Sequence, residues 1–240
     1  LQHNDDFKGV DIAFTSAGAG TSKEFEKTIT KYGAVMIDNS SAFRMDPEVP
    51  LVVPEVNPED ILKHKGIIAN PNCSTIQSVV PLKVLQDAYG LKRVAYTTYQ
   101  AVSGSGMKGK KDLAEGVNGK APEAYPHPIY NNVLPHIDVF LENGYTKEEQ
   151  KMIDETRKIL NAPDLKVTAT CARVPVQDSH SVEIDVTLDK ETTAEDIKAL
   201  FDQDDRVVLV DNPENNEYPM AINWDLSCFK PVFSMVLYLF

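Results

Sequence analysis

Residues 10–37, VDIAFTSAGAGTSKEFEKTITKYGAVMI, decide the class of fold. Val10–Ser16 is a short apolar run typical of a buried strand, Ser16–Gly20 is a flexible turn, and Ala34–Ile37 is a second apolar run. A helical pattern lies between the two runs. A strand, a helix and a strand joined by short loops predict a βαβ unit and therefore a parallel sheet.

The helix of this unit has a beginning, an apolar face and an end that follow from local chemistry. Thr21–Glu24 has the form of a capping box, so we expect the helix to begin at Thr21. Gly33 is the type of residue at which helices end. Helical spacing predicts an apolar face formed by Phe25, Ile29 and Tyr32.

The pattern repeats once before the chain changes character. Gly66–Ala69 predicts a third strand, and a helix is expected from Cys73 to about Tyr89, closed by Gly90. After Leu91 the apolar runs become longer, β-branched and aromatic. The longer strands are expected at Val94–Val102, Lys166–Val176 and Val182–Leu188.

Helices and loops separate the strands of the second half. Thr146–Glu149 is a second capping box, so a helix is expected from Thr146 to Leu160, and a further helix is expected near Thr193. Met107–Pro135 is rich in Gly, Pro and Lys and is expected to be a long loop. In the last strand apolar and polar residues alternate, so one of its faces is expected to be solvated. The predicted fold is an α/β Rossmann-like parallel sheet followed by an α+β domain.

Composition excludes several classes of function. The net charge of −12 and the pI of about 4.8 describe a surface that repels phosphate backbones, so no nucleic-acid partner is expected. No run reaches the roughly 20 apolar residues of a membrane helix, so no membrane partner is expected. Three scattered cysteines argue against a disulfide framework, and no Cys or His spacing predicts a metal site. The polar N-terminus lacks the features of a signal peptide, which predicts a cytoplasmic protein.

Asn70–Thr75, with the sequence NPNCST, is the first candidate for chemistry. It joins a predicted strand to a predicted helix, so Cys73 falls near the first helical position and Asn72 is a candidate N-cap. The helix dipole and the unpaired N–H groups there favour a thiolate, which is a nucleophile toward carbonyl carbon. The alternative is a small buried cysteine at the start of a helix.

A cysteine nucleophile needs a proton-transfer partner, and His180 is the histidine best placed to be presented to a site. It follows a long strand and the turn Gln177–Ser179. Arg173 lies seven residues earlier among small and apolar residues, so it is expected to have an anionic partner. That partner is either a ligand or a carboxylate of the protein, and the sequence leaves both open.

Six blocks of sequence taken together resemble the aspartate-β-semialdehyde dehydrogenase family. The resemblance runs from about Phe7 to about Asn223. The blocks are SAGAGTSKEF, DNSSAFRMDPEVPLVVPEVN, NPNCSTIQ, TTYQAVSGSG, ETRKIL and ARVPV followed by His180. The resemblance implies NADPH-dependent reduction of aspartyl-β-phosphate to aspartate-β-semialdehyde through a cysteine thioester. This reaction serves the biosynthesis of lysine, threonine and methionine.

The resemblance also implies roles for individual residues. Cys73 is expected to be the nucleophile that accepts the acyl group, and His180 to be the general acid and base. Gln100 is expected to orient the acyl group. Arg173 is expected to bind the substrate carboxylate in a bidentate way, through two parallel hydrogen bonds from its guanidinium group.

Further roles concern the phosphate and the cofactor. Arg44 is expected to hold the phosphate together with Asn72 and Lys151. Glu149 is expected to be a second substrate contact beside Lys151, with the capping box of its own helix as the competing role. The residues implied to line NADP are Ser16, Ala17, Gly18, Ser40, Ser103 and Gly104.

The implied organisation has three parts: a partial dinucleotide-binding domain over 1–72, a catalytic and dimerisation domain over 73–223, and an atypical tail over 224–240. The implied partners are the small-molecule substrate aspartyl phosphate, inorganic phosphate, and further copies of the chain in a homodimer or homotetramer. The family's GxxGxxG phosphate loop is missing, and the pattern stops after Asn223, as a truncation or a shifted reading frame would produce. The chain by itself is therefore expected neither to bind NADP(H) tightly nor to transfer hydride.

Two other interpretations remain open at this point. The first is an enzyme related to N-acetyl-γ-glutamyl-phosphate reductase, whose cysteine motif usually reads Pro-Gly-Cys-Tyr where this chain has Pro71–Ser74 as Pro-Asn-Cys-Ser. The second is a folded remnant that dimerises without chemistry.

Overall fold

The computed structural model of this protein describes residues 2–223. The predicted tail at 224–240, which contains Cys228, lies outside the described residues. Two compact units make up the chain. The first unit comprises residues 2–80 together with Asp154–Asp164, and the second comprises Pro81–Ile153 and residues 165–223. The three-part division at 72 and 223 stays a prediction.

The first unit is built on a three-stranded parallel sheet, as the βαβ pattern predicts. The strands β1 (Ile12–Thr15), β2 (Val35–Asp38) and β3 (Ile67–Ala69) lie side by side in that order. Both neighbouring pairs are parallel. Helix α1 (Ala19–Thr30) connects β1 to β2, which confirms the Rossmann-like arrangement.

Helix α1 begins earlier than its capping pattern predicts. Its N-cap is Gly18, with φ of 91° and no side-chain cap, so the predicted start in a capping box at Thr21 is wrong. Gly18 turns the chain into the helix at a backbone angle that residues with a Cβ rarely adopt, which leaves Thr21 inside the first turn. Phe25 and Ile29 are buried as predicted, but Tyr32 lies beyond the end of the helix and is partly exposed.

A buried carboxylate joins the elements of this unit. Asp38 ends β2 and is fully buried. Its oxygens accept hydrogen bonds from the hydroxyls of Thr15 at 2.9 Å, Ser22 at 2.6 Å and Ser40 at 2.6 Å. These three residues lie at the end of β1, in α1 and in the loop after β2, so one side chain ties together the carboxyl edge of the sheet.

The second unit is built on a mixed sheet. Strand β4 (Leu91–Gln100) lies between β5 (Lys166–Arg173), to which it is parallel, and β6 (Ser181–Leu188), to which it is antiparallel. This arrangement confirms the α+β character of the second half. Along β6 the residues alternate between exposed and half-buried, with Val182, Ile184, Val186 and Leu188 half-buried, as the sequence pattern predicts.

Three further helices lie where the sequence predicts them. Helix α2 (Cys73–Tyr89) follows β3 and is closed by Gly90, which has φ of 73°. Helix α4 (Lys147–Ile159) follows the predicted capping box, and its last turns belong to the first unit. Helix α5 (Ala194–Asp202) begins with a capping box at Thr193.

The prediction of a long loop from Met107 to Pro135 is wrong in its first part, where helix α3 (Gly106–Gly116) forms. Packing explains the helix despite its glycines. A Cβ atom on Gly109 would lie 2.6 Å from the Tyr125 hydroxyl and 2.6 Å from the Val102 carbonyl, so glycine permits a close approach there. Tertiary packing therefore outweighs the low helix propensity of this segment.

We expect Asp38→Asn to destabilise the chain. An asparagine offers one acceptor oxygen where the carboxylate accepts three hydroxyl hydrogen bonds, so buried hydroxyls lose partners, at a cost of about 1–3 kcal/mol. The measurement is the urea midpoint of unfolding, with Asp11→Asn as the control because Asp11 is exposed. Equal midpoints for the two variants would show that the hydrogen bonds to Asp38 do not stabilise the folded chain.

Candidate active site

The first cluster of functional residues surrounds the start of α2, and Cys73 is the first residue of that helix. Cys73 is exposed, as a nucleophile must be. Asn72 caps the helix, because its Oδ1 accepts hydrogen bonds from the backbone N–H groups of Ser74 at 2.9 Å and Thr75 at 3.3 Å. The side chain predicted as N-cap therefore holds the amides around Cys73 in helical geometry.

A buried glutamate holds the loop that precedes the cysteine. Glu155 accepts a hydrogen bond from the backbone N–H of Asn72 at 2.7 Å on one oxygen. Its other oxygen accepts one from Arg44 Nη1 at 3.1 Å. The Glu155 side chain is 1% exposed, so this ion pair lies inside the first unit.

Arg44 directs all three of its nitrogens at the protein. Besides Glu155, it donates from Nε to the carbonyl of Asn70 at 2.9 Å and from Nη2 to the carbonyl of Asn39 at 3.1 Å. These bonds use three of the five N–H donors of the Arg44 guanidinium group, and its phosphate contact stays a prediction. The ammonium group of Lys158 supports the same segment, since it donates to the carbonyls of Arg44, Asp46 and Val49.

Sequence reasoning missed Glu155, although a signal for it exists. Met152, Glu155 and Ile159 follow helical spacing, and all three are buried. A carboxylate in an apolar stripe of a helix needs a partner, because an unpaired buried charge is costly.

The predicted cofactor residues of the first unit lie at the carboxyl edge of its parallel sheet. Ser16 and Ala17 line a recess beside α1, together with Phe14 and Phe25. Gly18 begins the helix, and Ser40 follows β2. The carboxyl edge of a parallel sheet and the N-terminus of the following helix are where dinucleotides bind in such folds, so these residues fit part of a dinucleotide.

The second cluster lies in the second unit and begins with Gln100 at the end of β4. Gln100 is 1% exposed; its Oε1 accepts from the Thr98 hydroxyl at 3.0 Å and its Nε2 donates to Glu148 at 3.1 Å. Glu148 also accepts a hydrogen bond from Lys151 at 3.2 Å, and Lys151 donates to Asp138 at 2.9 Å. Burial opposes the charge on Lys151, but the two carboxylates outweigh it and raise the pKa of the ammonium group.

The carboxylate that contacts Lys151 is that of Glu148, whereas the sequence analysis expected its neighbour Glu149 there. Glu149 accepts hydrogen bonds from the backbone N–H groups of Thr146 at 2.7 Å and Cys171 at 3.0 Å. Its competing role in the capping box is therefore confirmed, since its own N–H also donates to the Thr146 hydroxyl. Both of its oxygens accept hydrogen bonds from backbone N–H groups. The carboxylate beside Lys151 is that of Glu148, which the sequence analysis did not single out.

Arg173 ends β5 opposite Gln100 and is 5% exposed. Its Nη1 donates to the carbonyl of Ala101 at 2.7 Å, but its buried Nε has no hydrogen-bond partner within the described chain. Among residues 2–223 no carboxylate lies within ion-pair distance of Arg173, so the carboxylate of the protein weighed as its partner does not appear there. The guanidinium group is thus a buried cation whose Nε–H donor has no partner among the described residues.

His180 lies beside this arginine. Gly104 lies close to both side chains: a Cβ atom there would lie 2.9 Å from Arg173 Nη1 and 3.5 Å from His180 Nε2. Burial and then the charge of Arg173 lower the pKa of His180 to about 4, while Glu148 opposes the shift. Ser103, the other predicted cofactor residue of this unit, donates its N–H to the carbonyl of Gln177 at 3.1 Å.

Over residues 2–223, no group of three or more His, Cys, Asp or Glu side chains is arranged to hold a metal ion. None of the helices in that part of the chain combines the length and apolar character that a bilayer crossing requires.

Both units match one class of protein. Residues 1–64 match the family model described as "Semialdehyde dehydrogenase, NAD binding domain". Residues 82–227 match the model described as "Semialdehyde dehydrogenase, dimerisation domain". The fold and the two clusters thus define a semialdehyde dehydrogenase with a nicotinamide-nucleotide-binding part and a part through which such proteins associate.

Individual relatives narrow this class. An aspartate-semialdehyde dehydrogenase of Aquifex aeolicus is 54% identical over 231 residues, which are 92% of this chain and 68% of the relative. That of Campylobacter jejuni is 48% identical, over 89% of this chain and 65% of the relative. The crystal structure of aspartate semialdehyde dehydrogenase II from Vibrio cholerae has a TM-score of 0.87 at 42% identity and covers 93% of this chain, which spans 68% of it.

The chain therefore belongs to the aspartate-semialdehyde dehydrogenase family, which confirms the resemblance carried by the six sequence blocks. It spans about two thirds of the length of these relatives. The relatives named here are all aspartate-semialdehyde dehydrogenases, which favours that enzyme over the N-acetyl-γ-glutamyl-phosphate counterpart.

We expect Glu155→Gln to destabilise the first unit. The amide keeps the shape but loses the charge that compensates Arg44, and its NH₂ group faces a donor on one side. Breaking one partner of a buried ion pair costs about 3–5 kcal/mol. The measurement is the thermal unfolding midpoint against Glu59→Gln, in which an exposed carboxylate of the same unit is changed. A Glu155→Gln midpoint within a degree or so of the control would contradict the assigned role.

Proposed function

We propose that this chain carries the nucleophile and the substrate-binding residues of an enzyme that reduces aspartyl-β-phosphate to aspartate-β-semialdehyde with NADPH in lysine, threonine and methionine biosynthesis. Family membership supports the reaction, and the Vibrio cholerae enzyme was crystallised in complex with "ASA". The observation that carries the proposal is the buried guanidinium of Arg173, which has an unpartnered Nε and no carboxylate within ion-pair distance in the described chain. Such a cation is prepared for the carboxylate of a small acidic substrate.

Cys73 is the proposed nucleophile. Its thiolate attacks the acyl carbon of aspartyl phosphate, the bond from that carbon to the phosphate oxygen breaks, and phosphate leaves with the bonding electrons. The product is a thioester on Cys73. The position of Cys73 at the N-terminus of α2 supports this role, since the dipole and the amides capped by Asn72 favour an anion there. NADPH, when bound, supplies the hydride that reduces the thioester.

The charges of the second cluster complement those of the substrate. Aspartyl phosphate carries a carboxylate, an ammonium group and a phosphate. Arg173 is proposed to bind the carboxylate, Glu148 the ammonium group and Lys151 the phosphate, while Gln100 orients the acyl group. Glu148 takes the role that the sequence suggested for Glu149, because the oxygens of Glu149 are already occupied.

The cofactor is proposed to be NADP(H), held by Ser16, Ala17, Gly18 and Ser40 in the first unit and by Ser103 and Gly104 in the second. The recess at Ser16 and the bare backbone at Gly104 support these contacts. The second unit matches a dimerisation domain, so we propose that the chain associates as a homodimer or as a homotetramer of two such dimers.

We expect iodoacetamide to label Cys73 well before Cys171 at neutral pH. Cys73 is exposed at a helix N-terminus, whereas burial raises the pKa of Cys171 to about 12. Peptide mass spectrometry over a time course measures the order. Cys73→Ala should remove the fast label and also the covalent acyl adduct formed with aspartyl phosphate. Labelling of Cys171 first, or an adduct that survives the substitution, would exclude Cys73 as the nucleophile.

We expect Arg173→Lys to weaken binding of aspartate-β-semialdehyde by about tenfold or more. Lysine keeps the charge but loses the planar fork, and hydrogen bonds to charged groups contribute about 1.5–3 kcal/mol. Calorimetric titration measures the affinity. Arg93→Lys is the matched control, because Arg93 is an exposed β4 residue paired with Asp185. Unchanged affinity with a lowered unfolding midpoint would instead make Arg173 a structural residue.

A further inference from the structure

The ammonium group of Lys151 lies between two carboxylates. Glu148, three residues earlier on α4, accepts a hydrogen bond from Lys151 at 3.2 Å, and Asp138, from outside the helix, accepts one at 2.9 Å. The side chains of Lys151, Glu148 and Asp138 are 20%, 8% and 32% exposed. Two carboxylates that face one ammonium group leave one negative charge in excess in this part of the second unit.

We propose that Asp138 is a positioning residue that holds and neutralises Lys151, and so leaves the carboxylate of Glu148 available for the ammonium group of the substrate. Asp138 thereby makes the site selective for a small carboxylic acid that also carries an amino group. The inference rests on the proposed function for the contact between Glu148 and the substrate. It goes beyond that function because Asp138 acts through Lys151.

The balance of charge gives Asp138 this role. Lys151 and Glu148 are neighbours on one helix face, where opposite charges form an ion pair. If these two groups were alone, each would compensate the other, and little attraction would remain for a cationic group of a ligand. The carboxylate of Asp138 supplies the negative charge in excess. An ammonium group of the substrate restores the balance, whereas a ligand without one does not.

Both partners of the pair between Asp138 and Lys151 are held in their charged forms. Burial opposes the charge on Asp138, but hydrogen bonds from Lys151 and from the backbone N–H of Val139 outweigh it and lower the pKa of the carboxyl group. Lys147, at the start of α4, favours the anion as well. On the other side, burial opposes the charge on Lys151, and Glu148 and Asp138 together raise the pKa of its ammonium group.

The local backbone fixes the direction of the Asp138 side chain. Asp138 has φ of 68°, a left-handed conformation that aspartate and asparagine adopt more readily than other residues with a Cβ. Its Oδ1 accepts a hydrogen bond from the N–H of Val139 at 2.9 Å, and Oδ2 is thereby presented to Lys151.

The segment that carries Asp138 is attached at both of its ends to elements that carry substrate-binding residues. Leu134 exchanges two backbone hydrogen bonds with Arg173, the last residue of β5, at 2.9 and 2.8 Å. The carbonyl of Val139 accepts a hydrogen bond from the N–H of Lys147, the first residue of α4, at 2.8 Å. Asp138 therefore has a fixed position relative to the ends of β5 and α4.

Glu148 is anchored without the help of Lys151. Its Oε1 accepts a hydrogen bond from Nε2 of Gln100 at 3.1 Å, and Gln100 is 1% exposed at the end of β4. When Asp138 retains Lys151, the carboxylate of Glu148 therefore stays beside Gln100, where the substrate is proposed to bind.

The test compares two aldehydes that differ in one group. Aspartate-β-semialdehyde carries an ammonium group, and succinate semialdehyde has hydrogen in its place. Calorimetric titration of the chain with each aldehyde measures the ratio of the two affinities. We expect the unsubstituted chain to bind aspartate-β-semialdehyde about tenfold more tightly, as a hydrogen bond between charged groups contributes. Asp138→Asn keeps the left-handed backbone and removes the charge, so we expect it to bind the two aldehydes with nearly equal affinity.

Two further variants make the result specific. Asp87→Asn removes an exposed carboxylate that pairs with Lys83 in the same unit, and it should leave the ratio unchanged. Glu148→Gln removes the proposed contact itself. Addition of Asp138→Asn to Glu148→Gln should lower the ratio no further, because both residues act on the same ammonium group of the ligand.

The possible outcomes separate this inference from the proposed function. An unchanged ratio in Asp138→Asn, an equal loss of affinity for both aldehydes, or a further fall of the ratio in the Glu148→Gln background would overturn the inference and leave the proposed function intact. If the unsubstituted chain binds neither aldehyde, or binds both equally, the proposed contact of Glu148 with the substrate is contradicted, and the inference is overturned with it.

Discussion

The buried carboxylate of Glu155 is the interaction on which the first unit's functional loop depends. One of its oxygens accepts from the Asn72 amide, immediately before Cys73, and the other pairs with Arg44. Arg44 in turn binds the carbonyls of Asn70 and Asn39, which follow β3 and β2. Because removing one partner of a buried ion pair leaves an uncompensated charge, the loss of any of these groups would destabilise the whole loop. The cysteine is thus presented from a backbone that has few alternative conformations.

The two buried arginines of the described chain differ in how completely the protein supplies partners for their guanidinium groups. Arg44 and Arg173 are both largely buried, and both lie close to residues proposed for chemistry. Arg44 has a buried carboxylate and two carbonyls for its three nitrogens. Arg173 has one carbonyl and an unpartnered Nε. An unpartnered buried donor costs about 1–3 kcal/mol, and the proposed substrate carboxylate at Arg173 would remove that cost.

Sequence patterns predicted the features that local chemistry controls and missed those that packing controls. The βαβ unit, the start of α2 at Cys73 and the capping box before α4 follow from short stretches of chain, and each is confirmed. Helix α3 was missed because its glycines permit a close contact with Tyr125 that no local pattern contains. Glu148 and Glu149 differ by about 100° around the helix axis. Only the position of β5, whose Cys171 amide binds Glu149, decides which carboxylate is left for Lys151.

The chain has a net charge of −12, so the proposed anionic substrate requires local positive charge in the second unit. Lys151 contacts both Asp138 and Glu148, so its immediate surroundings are negative, and two of the three N–H donors of its ammonium group are used. A phosphate at Lys151, as proposed, would share the ammonium group with these carboxylates. Arg173 has no such competitor, and the neutral ring of His180 beside it adds no charge to be compensated. Under the proposed function, the substrate carboxylate would therefore meet an uncompensated positive charge at Arg173, whereas a phosphate at Lys151 would meet a charge that two carboxylates already compensate.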